Sequence, residues 1–353
     1  MNTQRVDIHA HFIPPSYRQA CFEAGHGKPD GMPKLPVNTG LPTTQLGELL
    51  IRGKHWTKEG HLEFMEKAGI AKSILSISSP GTHLIPGKDA LALKVTRECN
   101  EFAAGLKRQH PDKFGFWASL PLPDVKGSLE EVAHSFDVLN ADGIAVKTNM
   151  HGIYMGDPVL DPVFLELNRR YATVFIHPTS PCIGDGHTAQ AASPLNLYPN
   201  PMFEFFFDTA RAVINMLMTG FVDKFPNITV IICHAGGALP PLVERLTNVA
   251  TAVLGHPDDF NTEAVKRIFG RQFYFDLAGY VFPDQIHGLL RYVDTSRLLY
   301  GTDYPFTPGS GALGMSCIMD TELPRVFSDE QDCTAILADN AVKLLEGTGG
   351  RAG

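Results

Sequence analysis

The chain of 353 residues carries 30 basic and 38 acidic side chains, giving a formal net charge of −8, and 44% of its residues are hydrophobic. This balance, without any Lys/Arg-rich block, argues against nucleic acid as the main partner, and no apolar stretch reaches the roughly 20 residues that a membrane helix needs. The first residues lack the pattern of a secretory signal, and the scattered cysteines form no CxxC pair, so we predict a cytoplasmic protein with reduced thiols.

Short runs of β-branched and aromatic residues predict eight strands that alternate with helices along the chain. The predicted strands are Arg5–His9, Lys72–Ile77, Phe114–Leu120, Gly143–Thr148, Thr173–His177, Ile228–His234, Gln272–Ala278 and Arg297–Asp303. Amphipathic segments predict crossover helices at Asp89–Gln109, Ser128–Asn140, Pro162–Tyr171 and Phe203–Phe225. Eight such units favour a closed (β/α)8 TIM barrel, formed by residues 1–353 as one domain.

Residues 14–58 do not fit the alternation, because they are rich in Gly and Pro and only weakly periodic. We predict a small insertion after strand one that lies as a lid over the carboxyl-terminal mouth of the barrel. Loops of this length in a compact domain are usually functional or disordered.

Polar residues follow the apolar runs of four predicted strands. Strand one ends in His9-Ala10-His11, and His177, His234 and Asp303 end strands five, six and eight. Side chains alternate along a strand, so His9 and His11 share the inward face with Asp7. A single histidine of this kind is commonly just hydrogen-bonded at a strand end. Four strands that converge on one mouth favour a catalytic site, because barrel enzymes place their chemistry there.

Imidazole and carboxylate side chains suit Zn²⁺, and also Mn²⁺ or Fe²⁺. Three histidines and one aspartate leave a position for water or substrate on such an ion. A noncatalytic, metal-stabilised scaffold is the alternative from another functional class. Structural zinc sites are closed and often rich in cysteine, which argues against it.

These elements resemble the amidohydrolase superfamily, in particular the branch named for 2-amino-3-carboxymuconate 6-semialdehyde decarboxylase. The matching sequences are VDIHAHFIPP near the start, FIHP at His177, ICHAGGALP at His234 and LLYGTDYPF at Asp303. The resemblance extends from Val6 to about Leu345. It implies that His9, His11, His177 and Asp303 bind one divalent ion, Zn²⁺ or else Mn²⁺. It further implies that His234 is the catalytic histidine beside the metal.

The branch contains nonoxidative decarboxylases of aromatic or dienoic carboxylic acids, with some hydrolases and hydratases. The segment Ser78–Gly81 and the four motifs look most like the salicylate-type group. The resemblance therefore implies a carboxy-lyase acting on a small 2-hydroxybenzoate such as 6-methylsalicylate, giving a phenol such as m-cresol and CO₂. The alternatives are decarboxylation of 2-amino-3-carboxymuconate 6-semialdehyde and hydrolysis of a lactone or amide. The proton donor is either His234 or Asp303.

Substrate-binding residues are predicted from the same resemblance. Arg52 and Trp56 lie in the insertion, where the family places an arginine and a tryptophan near the substrate. Arg245 matches an arginine that reaches the active site of a neighbouring subunit, which implies a homodimer. The alternatives are a solvent-facing Arg52 beside a lid aromatic and a helix-surface Arg245 paired with Glu244 or a loop carboxylate. Lys147 ends strand four, where binuclear relatives carry a carboxylated lysine, but we predict that it is not modified and is instead a structural or substrate-facing cation.

Overall fold

The computed structural model describes residues 4–26, 56–183, 190–192, 194, 198–307 and 309–347. Its central feature is a sheet of eight parallel strands that follow one another in chain order. The strands are β1 Arg5–His11, β2 Ile70–Ser76, β3 Phe114–Ser119, β4 Gly143–Lys147, β5 Thr173–His177, β6 Thr229–Ile232, β7 Phe273–Asp276 and β8 Leu298–Leu299. The order and direction confirm the predicted barrel, since β-strand, crossover and parallel strand repeat around it.

The barrel closes where β1 meets the segment that follows β8. The amide of Ile8 donates to the carbonyl of Tyr300 at 3.1 Å, and the amide of His11 donates to the carbonyl of Tyr304 at 2.8 Å. An isolated parallel bridge joins Ala10 to Tyr304. β8 itself is only two residues long. These bonds nevertheless join the segment after it to β1, as far as the carboxyl end of β1.

Helices surround the sheet. They are α1 Pro15–Glu23, α2 Lys58–Ala68, α3 Asp89–Gln109, α4 Val125–Asp137, α5 Asp161–Arg169, α6 Glu204–Met218, α7 Phe221–Lys224, α8 Val243–Leu254, α9 Thr262–Gln272, α10 Gln285–Leu289, α11 Gly309–Val326, α12 Glu330–Thr334 and α13 Asn340–Gly347. Short two-stranded pairs join Asn149–Met150 to Ile153–Tyr154 and Cys182–Ile183 to Gln190–Ala191. Within the described ranges, no helix has both the length and the apolar character needed to span a membrane.

The alternation of side chains along β5 shows how the core is divided. Val174 and Ile176 belong to the large buried cluster between sheet and helices. Phe175 belongs to a second buried cluster with Trp117 and Ile231. Its ring contacts that of His9, with centroids 5.1 Å apart. The inner cluster thus forms a rigid layer against the first predicted metal ligand.

Two elements differ from the predictions. Residues 203–225 form two helices, because Gly220 adopts the left-handed conformation that ends α6 and permits the new start of α7. In the predicted insertion, Pro15–Glu23 forms helix α1, with a proline at its first position, where the missing N–H costs nothing. Residues 27–55, which carry most of the predicted lid, lie outside the described residues, so the lid remains a prediction.

Candidate metal centre

The two histidines of the HAH sequence lie at the carboxyl end of β1, and both are completely buried. The Nε2 atoms of His9 and His11 are 3.1 Å apart. Their rings meet edge to face, with centroids separated by 5.0 Å. Alternation along the strand places both on the inner face of the barrel, as the sequence predicts.

Asp303 approaches the histidine pair from the opposite side of the barrel seam. Its Oδ1 lies 3.1 Å from Nε2 of His11 and 3.4 Å from Nε2 of His9. Its backbone adopts a left-handed conformation with φ of 56°, and its amide donates to the carbonyl of His9 at 2.8 Å. A non-glycine residue in this conformation is uncommon and often marks a functional site. Here the turn directs the carboxylate at the imidazoles.

His177 completes the group from the end of β5. One ligand atom from each of His9, His11, His177 and Asp303 lies within 4.8 Å of every other. The ring centroid of His177 is 4.8 Å from that of His11 and 5.3 Å from that of His9. Four separate side chains therefore meet at one point of the mouth.

The hydrogen bonds made by Nδ1 of each histidine show which ring nitrogen faces the point where the four side chains meet. Each Nδ1 lies at hydrogen-bond distance from an oxygen atom. These oxygens belong to Asp276 (2.9 Å from His9), Ser76 (3.1 Å from His11) and Pro178 (2.6 Å from His177). Because the two carbonyl oxygens and the carboxylate can only accept, Nδ1 carries the proton and Nε2 keeps a lone pair. With all three rings neutral, three nitrogen lone pairs and a carboxylate oxygen converge on one point, which is an arrangement that suits a metal cation.

The protonation of three members of the group, His11, His177 and Asp303, fits the binding of a metal ion. Burial lowers the pKa of His11 to about 4, and burial with the charge of Lys147 lowers the pKa of His177 well below its usual value. Burial alone would raise the pKa of Asp303, but its contacts with His11 and His9 lower it well below the usual value. Neutral imidazoles and an ionised carboxylate are the forms that bind a metal ion.

His234 lies beside the group in a strained turn. Its φ is 55°, and that of Ala235, the next residue, is 51°. Nδ1 of His234 is 3.0 Å from the carbonyl oxygen of Ala278, so Nε2 is the unprotonated nitrogen of the neutral ring. Its ring centroid is 4.9 Å from that of His9. The side chain thus adjoins the four-residue group but is not one of its members.

Comparison with known proteins agrees with the fold. The model of the amidohydrolase family matches residues 6–347. The chain belongs to the amidohydrolase family. The family and the barrel predicted from the sequence are both confirmed.

Three relatives of this amidohydrolase cover nearly all of it. A decarboxylase of Aspergillus niger named yanB is 32% identical over 97% of this chain and 87% of its own. The 6-methylsalicylic acid decarboxylase of Aspergillus aculeatus is 31% identical over 97% of this chain and 96% of its own. A crystal structure of an amidohydrolase II is 34% identical, with a TM-score of 0.81, over 97% of this chain and 100% of its own.

Asp276 is a site residue that sequence reasoning missed. Its Oδ2 accepts from His9, while its Oδ1 accepts from the amides of His234 and Ala278, both at 3.0 Å. Burial alone would lower the pKa of His9, but the charge of Asp276 raises it well above its usual value. A proton on Nε2 of His9 would therefore compete with a metal ion at this site. The available signal was an aspartate that ends the apolar run of strand seven.

Asp7 was placed on the inward face without a role. Its carboxylate accepts from the amide of His9 at 3.1 Å and from the hydroxyl of Thr302 at 2.6 Å. It thereby links β1 to the turn that carries Asp303. Burial raises the pKa of Asp7 to about 7.

The predicted substrate-binding residues lie in different surroundings. Trp56 is buried against Phe12 and Phe102, and its Nε1 donates to Nδ1 of His61 at 3.1 Å. Arg245 is exposed on α8. Arg52 lies outside the described residues. Their roles at the substrate therefore remain predictions.

Lys147 is buried at the end of β4, and its Nζ donates to the carbonyl of Ile77 at 2.6 Å. Burial lowers its pKa to about 7. The prediction that its amine is unmodified remains to be tested.

Proposed function

We propose that this amidohydrolase is a metal-dependent nonoxidative decarboxylase of a small 2-hydroxybenzoate such as 6-methylsalicylate, which it converts to a phenol such as m-cresol and CO₂. The observation that carries the proposal is the convergence of three imidazole lone pairs and one carboxylate at the barrel mouth. Two relatives that cover 97% of the chain are decarboxylases, one of them of 6-methylsalicylic acid. Family decarboxylases depend on a metal ion.

His9, His11, His177 and Asp303 are the proposed ligands of one divalent ion, Zn²⁺ or alternatively Mn²⁺. When bound, such an ion supplies a Lewis acid that favours the phenolate form and holds the ring. Elemental analysis should give one ion per chain, and His177→Ala should lose it together with activity. Full activity without a stoichiometric metal would contradict this assignment.

The reaction needs a proton at the ring carbon that bears the carboxylate. Direct loss of CO₂ would leave an aryl anion without an electron sink. Protonation of that carbon first turns the ortho phenolate into a dienone; the bond to the carboxylate then breaks, CO₂ leaves, and the electron pair restores the phenolate. We assign the proton to His234 in its protonated form, because contacts with two histidines keep Asp303 ionised.

The assignment of His234 is tested with His234→Ala. This variant should retain its metal ion and lose activity by roughly 100-fold or more, because a positioned acid contributes about that much. In deuterated water, the wild-type product should carry deuterium at the vacated ring position. A variant with full activity would show that Asp303 or another group delivers the proton.

The reaction itself is tested with a panel of hydroxybenzoates and muconate semialdehydes, following CO₂ release and ring absorbance. We expect CO₂ from 2-hydroxybenzoates. If oxygen-18 from water instead enters an acyl product without CO₂, the protein is a hydrolase of a lactone or amide. Turnover of the semialdehyde alone would identify the other decarboxylase chemistry of the branch.

We further propose a cytoplasmic homodimer in which Arg245 reaches the partner's active site. Three exposed apolar side chains form a stripe at helical spacing on α8. They are Leu242, which caps the start of the helix, and Val249 and Val253 within it. A second copy would bury this stripe, and Arg245 lies beside it. All six cysteines are free, in keeping with a reducing compartment.

A further inference from the structure

A cavity of about 350 Å³ lies between the carboxyl ends of β2, β3, β4 and β5 and the loops that follow them. Its apolar wall includes Leu120, Val146 and Met150. Its polar lining includes the hydroxyls of Ser79 and Thr179, which are 2.8 Å apart, and the side chain of Lys147. None of these groups is a predicted metal ligand.

Lys147 is held in one place by the loop after β2. Its Nζ donates to the carbonyl of Ile77. A Cβ added at Gly81 would lie 3.3 Å from both Cγ and Cε of Lys147, and Gly81 has a φ of +85°. Glycine at this position therefore lets the loop backbone pack on the lysine stem. The hydroxyl of Tyr17 donates to the carbonyl of Gly81 at 2.9 Å and fixes the loop in turn.

The side chain of Lys147 has no counter-ion among the described residues. Two cationic side chains are buried in the described parts of the chain, Lys147 and Arg170. Arg170 is paired with Asp137 and Glu166. Among the described residues no carboxylate lies within ion-pair distance of Lys147, and one of its three donors is used. Burial disfavours an ammonium without a counter-ion, and an anion that arrives as a ligand would supply the missing one.

The lysine also adjoins the metal centre. Lys147 is the direct neighbour of His177 in the register between β4 and β5. Ile77, which accepts from its ammonium, follows Ser76, whose carbonyl accepts from His11. Consecutive carbonyls of one segment thus hold the ammonium and a proposed metal ligand. An anion at Lys147 would lie next to the site of the reaction.

We propose that Lys147 binds the carboxylate of the substrate and that the cavity beside it receives the aromatic ring. The identity of that substrate rests on the function proposed above, whereas the anion site rests on the geometry of Lys147. When protonated, the amine of Lys147 uses one N–H on the carbonyl of Ile77 and has two left for a carboxylate. Hydrogen bonds between charged groups are stronger than those between neutral groups. Lys147 is then a substrate-binding residue that selects acids over neutral analogues.

The test compares two ligands in two proteins. 2-Fluorobenzoate and 2-fluorobenzamide differ in charge but little in shape, and neither has the ortho hydroxyl that the proposed reaction needs. Fluorine NMR titrations of the zinc-loaded wild-type enzyme and of Lys147→Met give four dissociation constants. We expect the variant to weaken benzoate binding roughly 10- to 100-fold and benzamide binding less than about 3-fold.

The matched control is Lys107→Met. Lys107 also donates to a backbone carbonyl, that of Asn140, but it lies on α3 beside Asp142, away from the cavity. Lys107→Met should leave the dissociation constants of both 2-fluorobenzoate and 2-fluorobenzamide unchanged. If Lys147→Met does not fold, Lys147→Gln takes its place in the same measurement. Metal content is measured in every variant.

The outcomes separate this proposal from the proposed reaction. Unchanged benzoate affinity, or an equal loss for both ligands, overturns the role of Lys147. A loss confined to the benzoate supports it. If Lys147→Met weakens the binding of the benzoate alone but no hydroxybenzoate releases CO₂, the anion site is supported and the decarboxylase function is rejected.

Discussion

Asp276 connects two side chains that the proposed reaction needs. One oxygen fixes the tautomer of His9, and the other holds the amide of His234 in its left-handed turn. Because both oxygens serve as acceptors, an isosteric amide cannot replace the carboxylate. In either orientation, the NH₂ group of an asparagine would face an N–H donor, either that of the His9 ring or the backbone amides of His234 and Ala278.

Asp276→Asn should therefore lower metal affinity roughly 10- to 100-fold, as the loss of a partner of a ligating histidine does. The measurement is competition for Zn²⁺ with a chromophoric chelator, with circular dichroism as a check of the fold. A matched control is Asp294→Asn, because Asp294 caps the turn that leads into the amino-terminal end of β8, at the face of the barrel opposite the proposed metal centre. Wild-type affinity in Asp276→Asn would show that His9 does not bind metal through Nε2.

The ligand types were predictable from the sequence, whereas their supporting contacts were not. An apolar run followed by histidine or aspartate identifies the carboxyl end of a barrel strand. Four such ends meet because the parallel strands of a barrel all end at the same face. The bond from Asp276 to His9 joins residues 267 positions apart. The turn at His234 places two non-glycine residues at positive φ. Periodicity carries no information about either feature, because both depend on tertiary contacts.

At the scale of elements, the turn after β6 depends on a glycine with a distinct conformation. Gly237 has φ of 58° and ψ of −126°. A Cβ at this position would lie 2.6 Å from the carbonyl oxygen of Phe206, which belongs to the backbone and cannot rotate away. Gly255, which ends α8 in the left-handed conformation with φ of 71°, has open space around the added atom.

Gly237→Ala should lower the free energy of unfolding by more than about 3 kcal/mol, since strain and overpacking add. Gly255→Ala should lower it by about 1 kcal/mol, from backbone conformation alone. Urea unfolding of both variants measures the difference. Equal effects would mean that the backbone of α6 moves to accept the methyl group.

The end of α5 is fastened to α4 by an arginine. Nε of Arg170 donates to Glu166, and its two terminal nitrogens donate to Asp137 at 2.6 and 2.9 Å. Hydrogen bonds from Arg169 and then Arg170 lower the pKa of Glu166 to about 2. A depressed carboxylate pKa stabilises the fold above the ordinary value near 4.5, and this contribution is lost as the pH falls towards 2.

Arg170→Met should thus lower the free energy of unfolding by about 1–2 kcal/mol at neutral pH. The difference from the wild type should shrink as the pH falls from about 5 towards 3, because the carboxylates begin to lose their charge. Urea midpoints of the metal-free proteins at several pH values measure this. The exposed pair of Arg325 and Glu322 offers a control, and Arg325→Met should have little effect. A difference that is constant with pH would contradict the role of the charges.

Element boundaries show where sequence patterns fail. The predicted helix Phe203–Phe225 is continuous in hydrophobicity, yet Gly220 divides it. Strand eight is predicted over seven residues but pairs as a regular strand over only Leu298–Leu299. The apolar pattern predicts burial at both places. It does not predict where backbone hydrogen bonds stop, which depends on the turn that carries Asp303.

At the scale of the whole molecule, the proposed dimer makes a prediction about shared active sites. Arg245→Ala and His234→Ala should each be inactive alone. If Arg245 acts across the interface, a mixed dimer contains one site with both residues intact. Mixing and reassociating equal amounts should restore about a quarter of wild-type activity, because half of the dimers are mixed and each has one complete site. Light scattering that shows an active monomer, or no recovery on mixing, would contradict shared sites.

The seam of the barrel has a consequence for the order in which the protein is completed. The proposed ligands on β1 are synthesised before the rest of the barrel, and Asp303, which lies 292 positions after His11, follows the last strand of the barrel. The amide of Asp303 and the carbonyl of Tyr304 also make the bonds that join the last strand to the first. A nascent chain therefore holds its histidines long before it has the carboxylate, and tight capture of the ion must await closure. If the four proposed ligands bind the ion, metal loading reports on the step at which the two ends of the barrel wall meet.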